Sequence, residues 1–321
     1  MTINKELHVI FGTGPLAQSV MRALLKRALL KQDVHIRMVN RSGRATVPAS
    51  VEVIAADAYQ PENTQAVTQG AAVVYQCAQP GYTQWPTLFP QLQASIVAGV
   101  AANQAKLIVG DNLYMYGAVN GPMREDLPNA ATTRKGRTRA QMAEALLAAH
   151  QQGVVQVAIA RGSDFYGPGV LDSVMGDRVF PAVLTGKTAS AVGNLDLPHT
   201  YTFIDDFGQA LVVLGERPEA LGQIWHVPNA ETVTTRQFLT LAFEQAGHAA
   251  KMDGMGKWMM WLGGLFIPEA RETVEMMYEF ERPFVVDHSK YVQAFGNHAT
   301  PLATAIQQTL AWYREHLQLV A

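Results

Sequence analysis

The run VIFGTGPLAQSV, residues 9 to 20, constrains this chain more than any other stretch. An apolar strand pattern leads into Gly12, Gly14 and Ala17, spaced G-x-G-x-x-A, and a helical pattern follows directly. Gly12 suits a tight turn, Gly14 lets a pyrophosphate approach the backbone, and Ala17 lets helix and strand pack closely. Phosphates held there meet the positive end of the helix dipole. Glycine-rich turns occur in many folds. This one follows the first strand of a strand–helix–strand unit, which favours the phosphate reading.

The following 150 or so residues repeat that rhythm. Val- and Ile-rich runs predict strands over 7–11, 34–39, 51–55, 72–78, 107–110 and 155–160, with helical patterns over about 15–30, 62–69, 86–104 and 138–152 between them. The runs are mostly apolar, as strands buried on both faces should be. Alternation of this kind implies right-handed crossovers and an α/β, Rossmann-type, doubly wound parallel sheet. Beyond about residue 165 the rhythm breaks into Gly- and Pro-punctuated stretches. The expected organisation is a dinucleotide-binding domain over 1–165, with return segments near 200–228 and 285–300. A smaller substrate-binding region occupies most of 166–321.

Composition closes off other classes. A hydrophobic share of 48%, a charged share of 16% and a net charge of −2 suit a globular protein and disfavour nucleic acid or a membrane surface as partner. A single cysteine, Cys77, excludes an internal disulfide and a cysteine-based zinc cluster, and the histidines show no metal-ligand spacing. MTINKELHVIFGTG lacks the basic and apolar regions of a signal peptide, and WMMWLGGLF (258–266) is under half the roughly 20 residues of a membrane span. These features point to a cytoplasmic protein with a small-molecule partner, and they admit a homodimer.

The end of the second strand bears on which dinucleotide is bound. A free ribose 2′-hydroxyl is usually met there by Asp or Glu, whereas a 2′-phosphate needs an arginine. Here the stretch is VNRSGR, giving Asn40, Arg41, Ser42 and Arg44 without a carboxylate. That pattern favours NADP over NAD, against the plainer reading of an exposed turn. Asp57, after the third strand, is placed to accept from the adenine amino group or to serve only as a turn residue.

Further motifs make the chain resemble the extended short-chain dehydrogenase/reductases, the NAD-dependent epimerase/dehydratase family. NLYMYG (112–117) is similar to that family's Ser-x-x-x-Tyr-Gly segment, and ARGSDFYGPG (160–169) to its Arg-x-x-Asn-x-Tyr-Gly-Pro-Gly loop. TFIDDFGQA (202–210) resembles its Val-Asp-Asp turn, and VVDHSKYVQAFG (285–296) its Asp-x-Ser-Lys helix start. The resemblance covers nearly the full length and implies a Rossmann domain for the dinucleotide and a C-terminal cap for substrate. Beyond Gly12 and Gly14, the expected cofactor contacts are Pro15, Leu16, Asn40, Arg41, Ser42 and Asp57. Ala78, Gln79, Lys135, Arg139 and Ser163 complete them.

The departures from the family decide the chemistry. Its catalysis rests on a tyrosine phenol, a lysine four residues later and a Ser or Thr on the preceding loop. By spacing, those places fall on Lys135, Arg139 and Asn112, so the tyrosine is missing. Positions four apart share a helix face, so Lys135 and Arg139 are expected to point together at the cofactor. Arginine cannot act as a general acid near neutrality, so Arg139 is left to hold ribose hydroxyls. Lys135 is the candidate to polarise a carbonyl and donate a proton, with the Asn112 amide on the same oxygen; a solvated basic helix start is the plain alternative. Tyr114 and Tyr82 are further candidate donors, as is the substrate itself, whereas Tyr116 and Tyr166 match family positions with structural roles.

Family members acting on nucleotide-diphosphate sugars carry an arginine ahead of the Val-Asp-Asp turn. Here that run is LPHTYTFIDD, with His199 and no arginine, and His199 reads as a packing or surface residue. Met- and Trp-rich runs in the C-terminal part suit either an adaptable apolar pocket or a packed core. The reading is therefore an atypical NADP-dependent ketoreductase acting on a small, largely apolar carbonyl compound. Its rivals are a nucleotide-sugar epimerase or dehydratase and a non-catalytic NADP-binding sensor.

Overall fold

A computed structural model describes residues 5–31, 34–256, 258, 259, 261, 272 and 274–318. Residues 1–4, on which the reading of the N-terminus partly rests, and most of the Met- and Trp-rich run 258–266 lie outside them. Among the described residues no helix is long and apolar enough to cross a membrane, and no group of three or more His, Cys, Asp or Glu is placed to hold a metal ion.

The first half alternates as its apolar runs dictate. Strands β1 (Glu6–Phe11), β2 (Val34–Asn40), β3 (Val51–Ala55), β4 (Ala71–Gln76), β5 (Lys106–Asp111) and β6 (Gln156–Arg161) are joined in large part by helices. These are α1 (Pro15–Lys31), α2 (Pro61–Val67), α3 (Trp85–Ala102) and α4 (Arg134–Gln151). Later strands are short: β7 (Phe165–Tyr166), β8 (Ala189–Val192), β9 (Pro198–His199), β10 (Thr202–Phe203), β11 (Ile224–His226), β12 (Val233–Thr234) and β13 (Met252–Met255). Among them run α5 (Phe180–Leu184), α6 (Ile204–Glu216), α7 (Thr235–Ala246), α8 (Ser289–Phe295) and α9 (Leu302–His316).

Seven strands form one sheet in the order β11-β6-β5-β4-β1-β2-β3. Each neighbouring pair from β6 to β3 is parallel. Because β1 has β2 on one side and β4 on the other, the strand order reverses there, and ligands of such sheets bind in the crevice outside the carboxyl ends at that point. The sheet is apolar inside, as expected of two-sided burial. Val9, Phe11, Val74, Leu107, Val109, Val157 and Ile159 join Phe89, Leu92 and Ile96 of α3 and Met142 and Leu146 of α4 in one core.

The chain divides into two compact units. One comprises Met1–Met115, Arg134–Arg161 and Phe207–Trp225; the other comprises Tyr116–Thr133, Gly162–Asp206 and His226–Ala321. The segment 116–133 was expected with the first domain but belongs to the second unit. Its own bonds explain this: Tyr116 Oη meets His226 Nε2 at 2.9 Å, and the Met123 amide donates to Val285 at 2.8 Å. Residues 285–300 also fall in the second unit. That unit has its own core, where Tyr166, Phe180, Phe238, Phe243, Leu310 and Tyr313 pack among α5, α7 and α9. Helix α7 has a clean start, because Thr234 and Gln237 form a reciprocal capping box.

Candidate active site

At the exit of β1 the two glycines have opposite surroundings. Gly12 has φ +107°, and a Cβ there would lie 3.1 Å from the Ala78 amide nitrogen at the exit of β4. Its own amide donates to Val39 at 2.9 Å. A Cβ on Gly14 would meet nothing within 4 Å. Pro15 opens α1 beside that clearing, where its missing N–H costs nothing, and Ala17 is buried against the sheet. A turn packed on one side and open on the other, at a long helix N-terminus, fits a dinucleotide pyrophosphate. Gln79, one residue past Ala78, is exposed.

Asn40 organises the turn after β2. Its Nδ2 donates to Thr13 Oγ1 (3.1 Å) and to the Arg44 carbonyl (2.8 Å), while its Oδ1 accepts from the Gly43 amide (2.7 Å) and Ser42 Oγ (3.2 Å). The Asn40 amide therefore shapes the turn and ties it to the glycine loop, which its expected role as a cofactor contact did not include. Arg41, Ser42 and Arg44 are exposed on that turn. Asp57 Oδ1 accepts from the Tyr59 amide at 3.1 Å, the arrangement of a turn residue.

The exits of β5 and β6 carry a buried ionic group. Helix α4 begins at Arg134, four residues earlier than its pattern suggested, so Lys135 and Arg139 both lie on it. They do not point to one place. Arg139 Nε donates to Asp111 Oδ1 at 2.8 Å, Nη2 bonds the same oxygen, and Arg161 Nε reaches Asp111 Oδ2 at 3.3 Å. The Arg139 guanidinium lies 4.4 Å from the Phe89 ring centroid and 5.5 Å from that of Trp85, and its Nη1 has no hydrogen-bond partner. The expected hold on a ribose is corrected here: Arg139 is a buried member of an ion-pair network closed over by aromatic rings.

Lys135 is also corrected. It has 0% of its surface exposed, and its Nζ stands 4.4 Å from the centroid of the Tyr82 ring. The ammonium is thus closed off from solvent, with the Tyr82 ring against it. The phenols are more accessible: Tyr82 and Tyr114 are each partly exposed, and their hydroxyl oxygens are 3.5 Å apart. The Asn112 backbone amide donates to Asp111 Oδ1 at 2.8 Å and its side-chain Oδ1 accepts from the Tyr114 amide at 3.2 Å, leaving the Nδ2 end as its donor.

In the second unit, Ser163 donates its hydroxyl to the Thr200 carbonyl and its amide to Thr202 Oγ1 (2.9 Å). His199 is buried, bonded to Asp164 Oδ2 at 2.9 Å and stacked on Tyr201, Phe280 and Phe284. Burial pushes the carboxyl of Glu279 well above the usual carboxylate range, reinforced by Asp164, and its Oε1 has no hydrogen-bond partner. Tyr166 is fully buried and burial pushes its phenol up, in keeping with packing rather than acid–base work.

The model of the NAD dependent epimerase/dehydratase family matches residues 12–227. The chain belongs to that family. Among curated proteins no sequence matches it. Solved structures share its fold at low identity. UDP-glucuronic acid 4-epimerase from Bacillus cereus, in complex with UDP-glucuronic acid and NAD, is 17% identical with a TM-score of 0.77, covering 97% of this chain and 99% of that one. dTDP-glucose 4,6-dehydratase from Bacillus anthracis, in complex with NAD, is 13% identical with a TM-score of 0.78, covering 98% of each chain. A dTDP-glucose 4,6-dehydratase double mutant from Streptomyces venezuelae, with NAD bound, is 15% identical with a TM-score of 0.77 and the same coverage.

Asp111 and Arg161 escaped the sequence reading as site residues, although a signal was present. Each ends an apolar strand two residues past a core position, on the core face, and the two are register partners across β5 and β6.

Proposed function

We propose that this chain is an NAD(P)-dependent enzyme that moves a hydride to or from a substrate carbon bearing oxygen. Epimerase or dehydratase chemistry on a nucleotide-linked sugar is the leading assignment. The observation that carries the dinucleotide is the clearing at Gly14, at the N-terminus of α1 and beside the point where strand order reverses. The family match, and the nucleotide sugar named with one of the neighbours, support the substrate class.

Bound there, the nicotinamide supplies the two-electron change at the substrate carbon. The chain's own groups do the rest. The backbone amides of Thr13, Gly14 and Leu16 hold the pyrophosphate, and exposed Arg41 and Arg44 favour a 2′-phosphate, hence NADP over NAD. Asn112 Nδ2 orients the reacting oxygen, and Lys135 supplies fixed positive charge. A cytoplasmic setting and a small-molecule partner complete the assignment.

A second reading, reduction of an uncharged carbonyl compound, is favoured by a specific observation. His199 stands where an arginine would clamp a diphosphate, and it is bonded to Asp164. Nearby carboxylates of that kind repel a diphosphate. Thermal-shift titration with UDP-glucuronic acid and UDP-glucose, each with NAD⁺ or NADPH, tests the choice. A stabilising shift with either sugar nucleotide supports the leading assignment. No shift, together with NADPH oxidation on a panel of uncharged ketones, replaces it with the second. Binding of NADPH with no turnover on any compound would make the chain a sensor.

A further inference from the structure

We infer that Tyr82, held against the Lys135 ammonium, is the proton carrier that replaces the tyrosine missing from α4; this rests on the hydride-transfer reading above. The two residues come from different elements. Tyr82 opens the short 3-10 turn Tyr82–Gln84 after the exit of β4, and Lys135 lies in the first turn of α4. Trp85 fixes the phenol ring edge-on, with centroids 5.1 Å apart and planes at 73°. Lys135 Nζ is 4.4 Å from the ring centroid. The phenol oxygen lies about 3 Å outward from that centroid, which puts the ammonium roughly 5 Å from it, inside the range where an opposite charge favours the ionised form.

Accessibility separates the two groups. Lys135 has no exposed surface, whereas Tyr82 has some, so a ligand at the carboxyl ends of β4 and β5 meets the phenol and not the amine. Tyr114 Oη, 3.5 Å from Tyr82 Oη, lies on the exit of β5 and connects the phenol to solvent. Arg134 and Arg137, the other cations in the first turns of α4, are exposed, and Arg139 is bound by Asp111; Lys135 is therefore the buried cation that sets the field at Tyr82.

In the reducing direction, the Tyr82 O–H bond breaks and the substrate oxygen gains that proton as its carbon gains hydride from the dihydronicotinamide. The phenolate left behind faces the ammonium and recovers a proton through Tyr114 from water. The reverse direction uses the same atoms.

The test needs no substrate. Tyrosinate absorbance of the full-length protein is followed against pH, with and without NADPH. Burial pushes Tyr75, Tyr166, Tyr201 and Tyr313 up, so the background titrates late. One tyrosine should ionise about one pH unit or more ahead of a free phenol, the scale of a nearby opposite charge. Tyr82→Phe should remove that early step, and Tyr114→Phe should keep it. Lys135→Met should delay the step, whereas Lys135→Arg, which keeps the charge and guards against misfolding of the Met variant, should retain it. NADPH affinity of Tyr82→Phe should stay within about twofold of the unmutated protein. An early step that is absent, or that survives Tyr82→Phe, overturns the inference. Failure of NADPH to bind any variant, the unmutated protein included, overturns the dinucleotide reading instead.

Discussion

Replacing Asp111 by Asn should destabilise the protein more than replacing Arg139, its main partner, by Met. In Asp111→Asn the Arg139 guanidinium stays buried between Phe89 and Trp85 without its carboxylate, with only the Gly110 carbonyl at 3.4 Å as a polar contact beyond the new amide. Breaking a buried pair in this way costs about 3–5 kcal/mol, because one charge is left uncompensated. In Arg139→Met the carboxylate keeps Arg161 Nε at 3.3 Å and the Asn112 amide at 2.8 Å. A thioether then sits on the aromatic rings, so the loss should be nearer 1–2 kcal/mol. The double variant has no orphaned charge at position 139 and should be at least about 1 kcal/mol more stable than the two single losses predict when added. Urea unfolding followed by tryptophan fluorescence measures all three, and calorimetry should show Tm falling by roughly 6–20 °C for Asp111→Asn. If Asp111→Asn costs under about 1 kcal/mol, or no more than Arg139→Met, the group is not a charge lock and the reasoning fails.

Gly14→Ala should leave unfolding unchanged yet weaken NADPH binding at least about tenfold, whereas Gly12→Ala should lower stability as well, since φ is +107° and Ala78 fills the space; equal stability of the two variants in thermal melts would contradict this. NADPH should bind at least about tenfold more tightly than NADH, and Arg41→Ala should remove most of the difference, as read by fluorescence titration. For Glu279, burial raises the folded pKa above the unfolded one, so its contribution is full below the ordinary carboxylate range and is lost as pH rises through the raised value. Glu279→Gln should therefore flatten that fall, and its stability relative to the unmutated protein should grow with pH in urea titrations at several pH values; a difference independent of pH would refute it.

The sheet was legible because its strands are mostly apolar and because one glycine spacing marks where a strand hands over to a helix. Gly12 and Ala78 show the limit of that reading. Each was named as a contact from pattern, but that one packs on the other is a fact of strand order, which places β4 beside β1. The ionic group was harder to see. Arg139 looked like a ligand-facing cation because position 135 plus four shares a helix face; which way a long side chain turns depends on the carboxylate within reach, and Asp111 lies 28 residues away in sequence. Tyr82 and Lys135 are also distant in sequence, so no local spacing could pair them. Strand β11 is three residues long and carries too little pattern to be read beforehand.

The anchoring of Arg139 on Asp111 also limits how this protein can change. Restoring the family's Tyr-x-x-x-Lys pair by two substitutions on α4 would put a lysine, with a single-point charge in place of a planar fork, against a carboxylate that now receives Nε and Nη2 together. The new lysine would be drawn to Asp111 rather than toward a ligand, and the new tyrosine would meet Tyr82 where an ammonium stood. Each step alone is a loss. Such a change therefore involves Asp111, Arg161 and Tyr82 as well, and the present arrangement is held in place by neighbours beyond the two substituted positions.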